Sequence, residues 1–170
     1  MTAKASISIG VAASQQGVNA FGGPYWGGAL AASLAFGSGT GAKQLDLVYL
    51  GERSVNASSN DDIDLAGVLT DAFGATIAAA ELAGVVIINA PLNPADPANL
   101  STLTIGGATN PVPGFSAAIV PIEPGGIFAA ISPGAAGIAT VTAATGDKIR
   151  VANGAGGTAK YQIALLMRSA

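Results

Sequence analysis

The chain has 170 residues, enough for one domain with a sizeable core and too few for two of ordinary size, so a single domain over 1–170 is expected. Only 10% of residues are charged and the net charge is −3, against 50% hydrophobic residues and 24 glycines; so little charge protects a free monomer poorly and points to a surface covered by neighbouring subunits. With no histidine and no cysteine, Ser-His-Asp and Cys-His catalysis, thiolate chemistry and disulfides are excluded, and a zinc site would need carboxylates alone.

In chain order, Ala5 to Ala13 sets Ile7, Ile9 and Val11 on one parity and Ser6, Ser8 and Gly10 on the other, the alternation of a strand. Ser14 to Gly28 interrupts it with Gly22-Gly23-Pro24 and Gly27-Gly28 around Tyr25-Trp26, so 14–28 is expected to be a loop or arm. Its aromatic residues Phe21, Tyr25 and Trp26 are the interface candidates: they either cap the chain's own core or anchor it in a neighbour. Leu30, Ala32, Leu34 and Phe36 predict a second strand, and Leu45, Leu47 and Tyr49 a third, with a hairpin through Gly37 to Gly41 between them. Glu52 to Asn60 is polar and small and reads as a loop.

Asp61 to Asn89 carries the strongest order signals. Ile63 and Leu65 alternate with Asp62 and Asp64 as in a half-buried strand, and Leu69 to Gly74 reads as a turn in which Asp71 can accept backbone amides. A helical turn is expected within Ala75 to Leu82, followed by a buried β-branched strand over Val85 to Ile88. Pro91 to Pro97 must be irregular. Further short strands are predicted at Leu100 to Ile105, Ala117 to Ile122, Ile127 to Ile131, Ile138 to Ala143, Lys148 to Ala152 and Ala159 to Arg168, punctuated by Pro124-Gly125-Gly126 and Gly154 to Gly157. Many short strands with frequent turn signals predict an all-β chain, an antiparallel β-sandwich of jelly-roll type with long Gly/Pro-rich loops. Parity selects Leu45, Leu47, Leu65, Val86, Ile88, Leu103, Ile105, Ile149, Val151, Ile163 and Leu165 as its core.

The run Asp64-Leu65-Ala66-Gly67, then Leu69-Thr70-Asp71-Ala72-Phe73-Gly74 and the strand Val85 to Asn89, resembles a segment that recurs in structural proteins of tailed-phage virions. Pro124-Gly125-Gly126 and the closing strands Asp147 to Asn153 and Lys160 to Leu166 are similar too, so the resemblance covers roughly the C-terminal two thirds. It implies a location in the virion more than a mechanism.

Other motifs carry less. Asp61, Asp62 and Asp64 form the one acidic cluster, but the glycine and distal glutamate of a calcium loop are missing, and a solvated strand face that discourages edge pairing is expected. Gly37 to Lys43 is not a phosphate loop, because Gln44 stands where a Ser or Thr must follow the lysine. The basic residues are scattered singly, which gives no nucleic-acid footprint, and no apolar run approaches the ~20 residues of a membrane helix. The expectation is therefore a non-enzymatic virion component without cofactor or metal. It is most concretely a capsid decoration or cement protein, forming a homo-oligomer and contacting the major capsid protein or other virion proteins. A tail-associated or carbohydrate- or receptor-binding module, with Tyr25, Trp26 and Tyr49 as stacking faces, is the alternative.

Overall fold

The computed structural model describes residues 2–18, 22–117 and 120–169. Among these residues there is no helix, and the chain is all β. β1 (Ala5–Gln16) and β2 (Tyr25–Ser38) form one long antiparallel hairpin, in register from Ala5 opposite Phe36 to Gln16 opposite Tyr25. The Gly17 N–H closes its far end on the Pro24 carbonyl at 2.9 Å. The second predicted strand therefore pairs with the first, because Ile7, Ile9 and Val11 match Leu34, Ala32 and Leu30 across the ladder. The hairpin expected between the second and third strands does not form. β2 instead meets β3 (Gln44–Leu45) in a short parallel pair, and Gly39 and Lys43, both at positive φ, let the chain double back between them.

The body begins with β4 (Leu47–Val55) and β5 (Asn60–Asp64). Glu52 to Val55, expected in a loop, extend β4 because Val55 enters the core and Arg53 finds a partner on β5. There follow β6 (Ala66–Thr70), β7 (Thr76–Ala78), β8 (Glu81–Ile88), β9 (Leu103–Ile105), β10 (Val120–Ile122), β11 (Ile127–Ile131), β12 (Ala139–Thr140), β13 (Lys148–Asn153) and β14 (Ala159–Arg168). One sheet has the order β11-β8-β14-β4, with β12 also on β8, and the other has the order β10-β9-β13-β5. Both contribute to one core: Val85, Ile87, Tyr161, Ile163 and Leu165 from the first meet Ile63, Leu103, Ile105, Ile149 and Val151 from the second.

The helical turn expected within Ala75 to Leu82 is absent. Asp71 Oδ1 accepts the Phe73 and Ala75 amides at 2.9 Å and fixes a tight turn, after which Ile77 is fully buried on β7, paired with β6. Alanine favours a helix, but the run Ala78 to Ala80, preceded by β-branched Thr76 and Ile77, is too short to nucleate one.

The expected core is met at Leu45, Leu65, Leu103, Ile105, Ile149, Val151, Ile163 and Leu165. It fails on β8, where Val85 and Ile87 point inward while Val86 and Ile88 face outward, half-buried; Leu47 is partly buried and packs against the core. An uninterrupted apolar run carries no parity of its own. Here the inward set is fixed by an irregularity, since β14 pairs Leu166 with Gly84 but Met167 with Leu82, leaving Ala83 as an extra residue.

Polar side chains tie the two sheets together. Buried Asn89, at the end of β8, donates through Nδ2 to the Ser101 and Ile122 carbonyls at 2.9 and 2.7 Å, and its Oδ1 accepts from Asn99 Nδ2 at 2.7 Å. Asn99 in turn bonds both backbone groups of Lys160 on β14. Buried Asn153, at the end of β13, donates to the Val55, Asn56 and Gly157 carbonyls. The fully buried Arg168 joins the base of the hairpin to the body, donating to the Gln44 and Ala135 carbonyls at 2.8 and 2.7 Å and to Glu81 Oε2 at 2.9 Å.

Candidate interaction surface

Only the root of the hairpin rests on the body. There Phe36, Leu45, Ala83 and Leu166 make a second apolar cluster, with Ala5, Ile7, Leu34, Val48 and Ile131 packed against it. From Ile9 outward the hairpin is exposed and forms an arm. Register assigns its two faces. Ile9 and Ala32, Val11 and Leu30, Ala13 and Gly28, and Gln15 and Trp26 share one; Ser8 and Ser33, Gly10 and Ala31, Ala12 and Ala29, Ser14 and Gly27, and Gln16 and Tyr25 share the other. The first is the same face that packs on the body at the root, and it leaves Leu30 77% and Trp26 61% exposed. No charged residue occurs between Lys4 and Lys43. Depletion of charge is the compositional mark of an interface core.

Of the segment Ser14 to Gly28, expected to be a loop or arm, Ser14 to Gln16 end β1 and Tyr25 to Gly28 begin β2. Its glycine pair misled the sequence reading for a physical reason. A Cβ on Gly27 would lie 2.9 Å from the Tyr25 hydroxyl, and one on Gly28 would lie 2.9 Å from the Trp26 ring. Each aromatic ring lies along its strand over the glycine two residues on, and Tyr49 lies over Gly51 in the same way. These glycines make room for aromatic side chains rather than ending a strand. Of the interface candidates, Tyr25 and Trp26 stand at the arm's far end on opposite faces, and Phe21 lies outside the described residues. Tyr49 is on β4 against the core, so Tyr25, Trp26 and Tyr49 do not make a common stacking platform.

The outer face of the β11-β8-β14-β4 sheet is the second part of the surface. Its cross-strand rows are Ile131, Gly84, Leu166 and Val48, under the arm root; then Ala129, Val86, Ala164 and Leu50; then Ile127, Ile88, Gln162 and Glu52. A groove of about 300 Å³ on this face is lined by Leu50, Val86, Ile88, Leu92, Gln162 and Ala164 among others, and no charged side chain lines it. Leu92 is held at its rim by Glu52 Oε2, which accepts the Leu92 amide at 2.6 Å. A separate hollow of about 450 Å³ lies between Tyr49 and the Asp71 turn, with Lys4, Asp46 and Phe73 in its wall. Both its carboxylates are engaged, Asp71 by the turn amides and Asp46 by the backbone and hydroxyl of Ser169.

The acidic cluster separates into three environments. Asp61 faces inward and receives a bidentate pair from Arg53 Nε and Nη2, both at 2.7 Å, plus the Tyr161 hydroxyl at 2.7 Å. Burial opposes its ionisation, but the bonds from Arg53 and Tyr161 outweigh it and hold the carboxyl below its ordinary value. Burial, reinforced by Asp61, drives the Tyr161 hydroxyl far above its own. Asp62 points outward and is bound in bidentate fashion by Arg150 at 2.6 and 2.8 Å, which lowers its pKa. Asp64 accepts the Ala66 amide at 2.9 Å. β5 is an edge strand of its sheet. Among the described residues, no group of three or more His, Cys, Asp or Glu side chains could hold a metal ion, and no helix is long and apolar enough to cross a membrane. Asp62→Asn with Asp64→Asn is expected to cost under about 1 kcal/mol in urea denaturation, since the Arg150 pair is solvent-screened. A larger loss would show that these two carboxylates organise the β5 edge.

Compared with known proteins, the chain matches no family model, no curated protein and no solved structure.

Proposed function

We propose that this chain is a structural component of a phage virion, most concretely a capsid decoration or cement protein that stabilises the shell through subunit contacts. The observation that carries the reading is the arm, a long uncharged hairpin whose apolar face leaves the body uncovered. A two-stranded ribbon alone in water is marginally stable, and such a face is useful only where another surface lies against it.

The body supports the same reading. Take β4, β5, β8, β9, β10, β11, β13 and β14 as first to eighth. The sheets then run first, eighth, third, sixth and second, seventh, fourth, fifth. That order supports reading the body as a jelly-roll sandwich, an architecture of viral capsid and lectin domains. Fold alone admits many functions, so the arm and the resemblance at Asp64 to Asn89 do the discriminating. In this role the chain acts mechanically. The body is a rigid block, the arm reaches a neighbour, and contacts of ordinary size are repeated around the shell against the major capsid protein or its own copies. No catalytic step is part of it.

Imaging particles assembled with and without the protein tests the reading. Extra density at fixed positions on the shell is expected, and its loss should lower the temperature at which the particle opens. Trp26→Ala should reduce incorporation by about tenfold or more, the usual effect of losing an aromatic anchor, while leaving the unfolding midpoint of the isolated chain unchanged. Absence from the shell combined with binding on a glycan array would replace this reading with a receptor-binding module.

A further inference from the structure

We infer that the uncovered arm of one copy lies in the apolar groove of a second copy, so that the chain associates with itself by exchanging arms. The first reason is continuity. At its root the arm's apolar face already covers the outer row Ile131, Leu166 and Val48 of its own sheet. One row further on, a wedge of about 260 Å³ opens between Ala5 and Ile7 above and Leu50, Val86 and Ala164 below. From Ile9 outward the arm is exposed, and the same three side chains continue into the groove. The sheet face built to receive this hairpin extends beyond the part its own hairpin covers. A second copy carries the matching surface.

The second reason is charge. Neither the arm between Lys4 and Lys43 nor the groove lining bears any, so the contact brings two uncharged surfaces together, with Glu52 at the groove's rim and Lys4 beside the wedge as the nearest ions. A partner with an ordinary charged surface would have to leave its ions unpaired there. The third reason is area. The eight register pairs from Ile9 to Gln16 present a face of roughly 25 by 10 Å, at ~3.3 Å per residue and ~4.8 Å between strands. Such a face in one groove falls well short of the ~800 Å² per partner that a stable interface buries. If each copy both gives and receives an arm, as in a closed pair or ring, the contact doubles to roughly 500 Å² per partner, the size of a weak, concentration-dependent association. Trp26, laid flat over Gly28, enters that contact with its ring already positioned.

The inference shares with the proposed function only the premise of an assembling subunit, and its test needs no particle, so either can fail alone. The full chain is purified and followed by sedimentation and by the emission of Trp26, its only tryptophan. Association accompanied by a concentration-dependent blue shift is expected. Val11→Asp on the arm and Leu92→Asp in the groove alter exposed or outward positions, so each should stay folded by circular dichroism yet sediment as a monomer, at least tenfold weaker in association. Leu30→Asp and Leu50→Asp replace either variant should it misfold. Mixing an arm variant with a groove variant leaves one intact arm facing one intact groove, half of the reciprocal contact, so the mixed pair should associate more weakly than the unaltered chain but more strongly than either variant alone. Three results would overturn the inference. They are a monomer at every concentration, a blue shift independent of concentration and abolished by Leu92→Asp (the arm closing on its own groove), and an oligomer lost with Val11→Asp but indifferent to both groove variants.

Discussion

Replacing Asn89 with alanine is expected to lower the stability of the chain by about 3 to 5 kcal/mol, because each buried polar group left without a partner costs about 1 to 3. The Ser101 and Ile122 carbonyls lose their donor, and Asn99 loses the acceptor for one amide hydrogen. Ile122 ends β10 of one sheet, Asn89 follows β8 of the other, and Asn99 and Ser101 lie between β8 and β9, so the damage is not confined to one strand end. Asn99 also holds Lys160 on β14, and a rotated Asn99 would pass the disturbance to a third strand. The shift in urea midpoint measures the cost. A change under about 1 kcal/mol would mean that water takes over the Asn89 contacts and that the apolar core alone sets how the sheets meet.

Asp61→Asn is expected to cost about 2 kcal/mol at neutral pH, in the range for hydrogen bonds to a charged group. It should also change the acid limb of the stability curve. Arg53 and Tyr161 hold the folded carboxyl below its ordinary value of 3.8, so in that range the unfolded chain takes up the proton more readily than the folded one. The contribution of Asp61 is therefore complete above about pH 4 and disappears as pH falls through the lower folded value. Asp62, paired with Arg150, adds a smaller decline in the same direction. Unfolding midpoints measured between pH 2 and 7 should fall less steeply below pH 4 for Asp61→Asn than for the unaltered chain. Equal slopes would show that other carboxylates govern acid unfolding. Tyr161→Phe removes one of the two partners and should reproduce part of both effects.

Most strands were legible because one face of each is buried and the other is not. Ile63 between Asp62 and Asp64, and Ile149 and Val151 between Lys148, Arg150 and Ala152, announce their inward sides without help. β8 did not, since Val85 to Ile88 is apolar on both sides and the irregularity at Ala83 shifts its parity. What looked like ambiguity was a property of the sheet, which has two apolar faces and needs something on each. The Arg53, Asp61 and Tyr161 contact could not be read either. Tyr161 is 100 residues from Asp61, and no local pattern encodes a partner at that distance. The expected loop or arm over 14–28 differs from the structure at Tyr25 to Gly28, which are strand. Glycine beside an aromatic signals a break in regular structure, whereas a glycine two places after a ring, with both in a strand, makes a bed for that ring. The signal that could have found the arm was the uninterrupted absence of charge from Ala5 to Ala42.

That absence has a consequence at the bench. Trypsin cuts after lysine and arginine, and none occurs inside the hairpin, so digestion releases it whole as the single peptide from Ala5 to Lys43. Trypsin is blind to whether the arm is free or covered. Chymotrypsin is not: Tyr25 and Trp26 offer it cleavage sites at the arm's far end, where both side chains are exposed in the isolated chain. The same pair of digests, run on dilute and on concentrated protein, reports directly on whether the arm has found its seat.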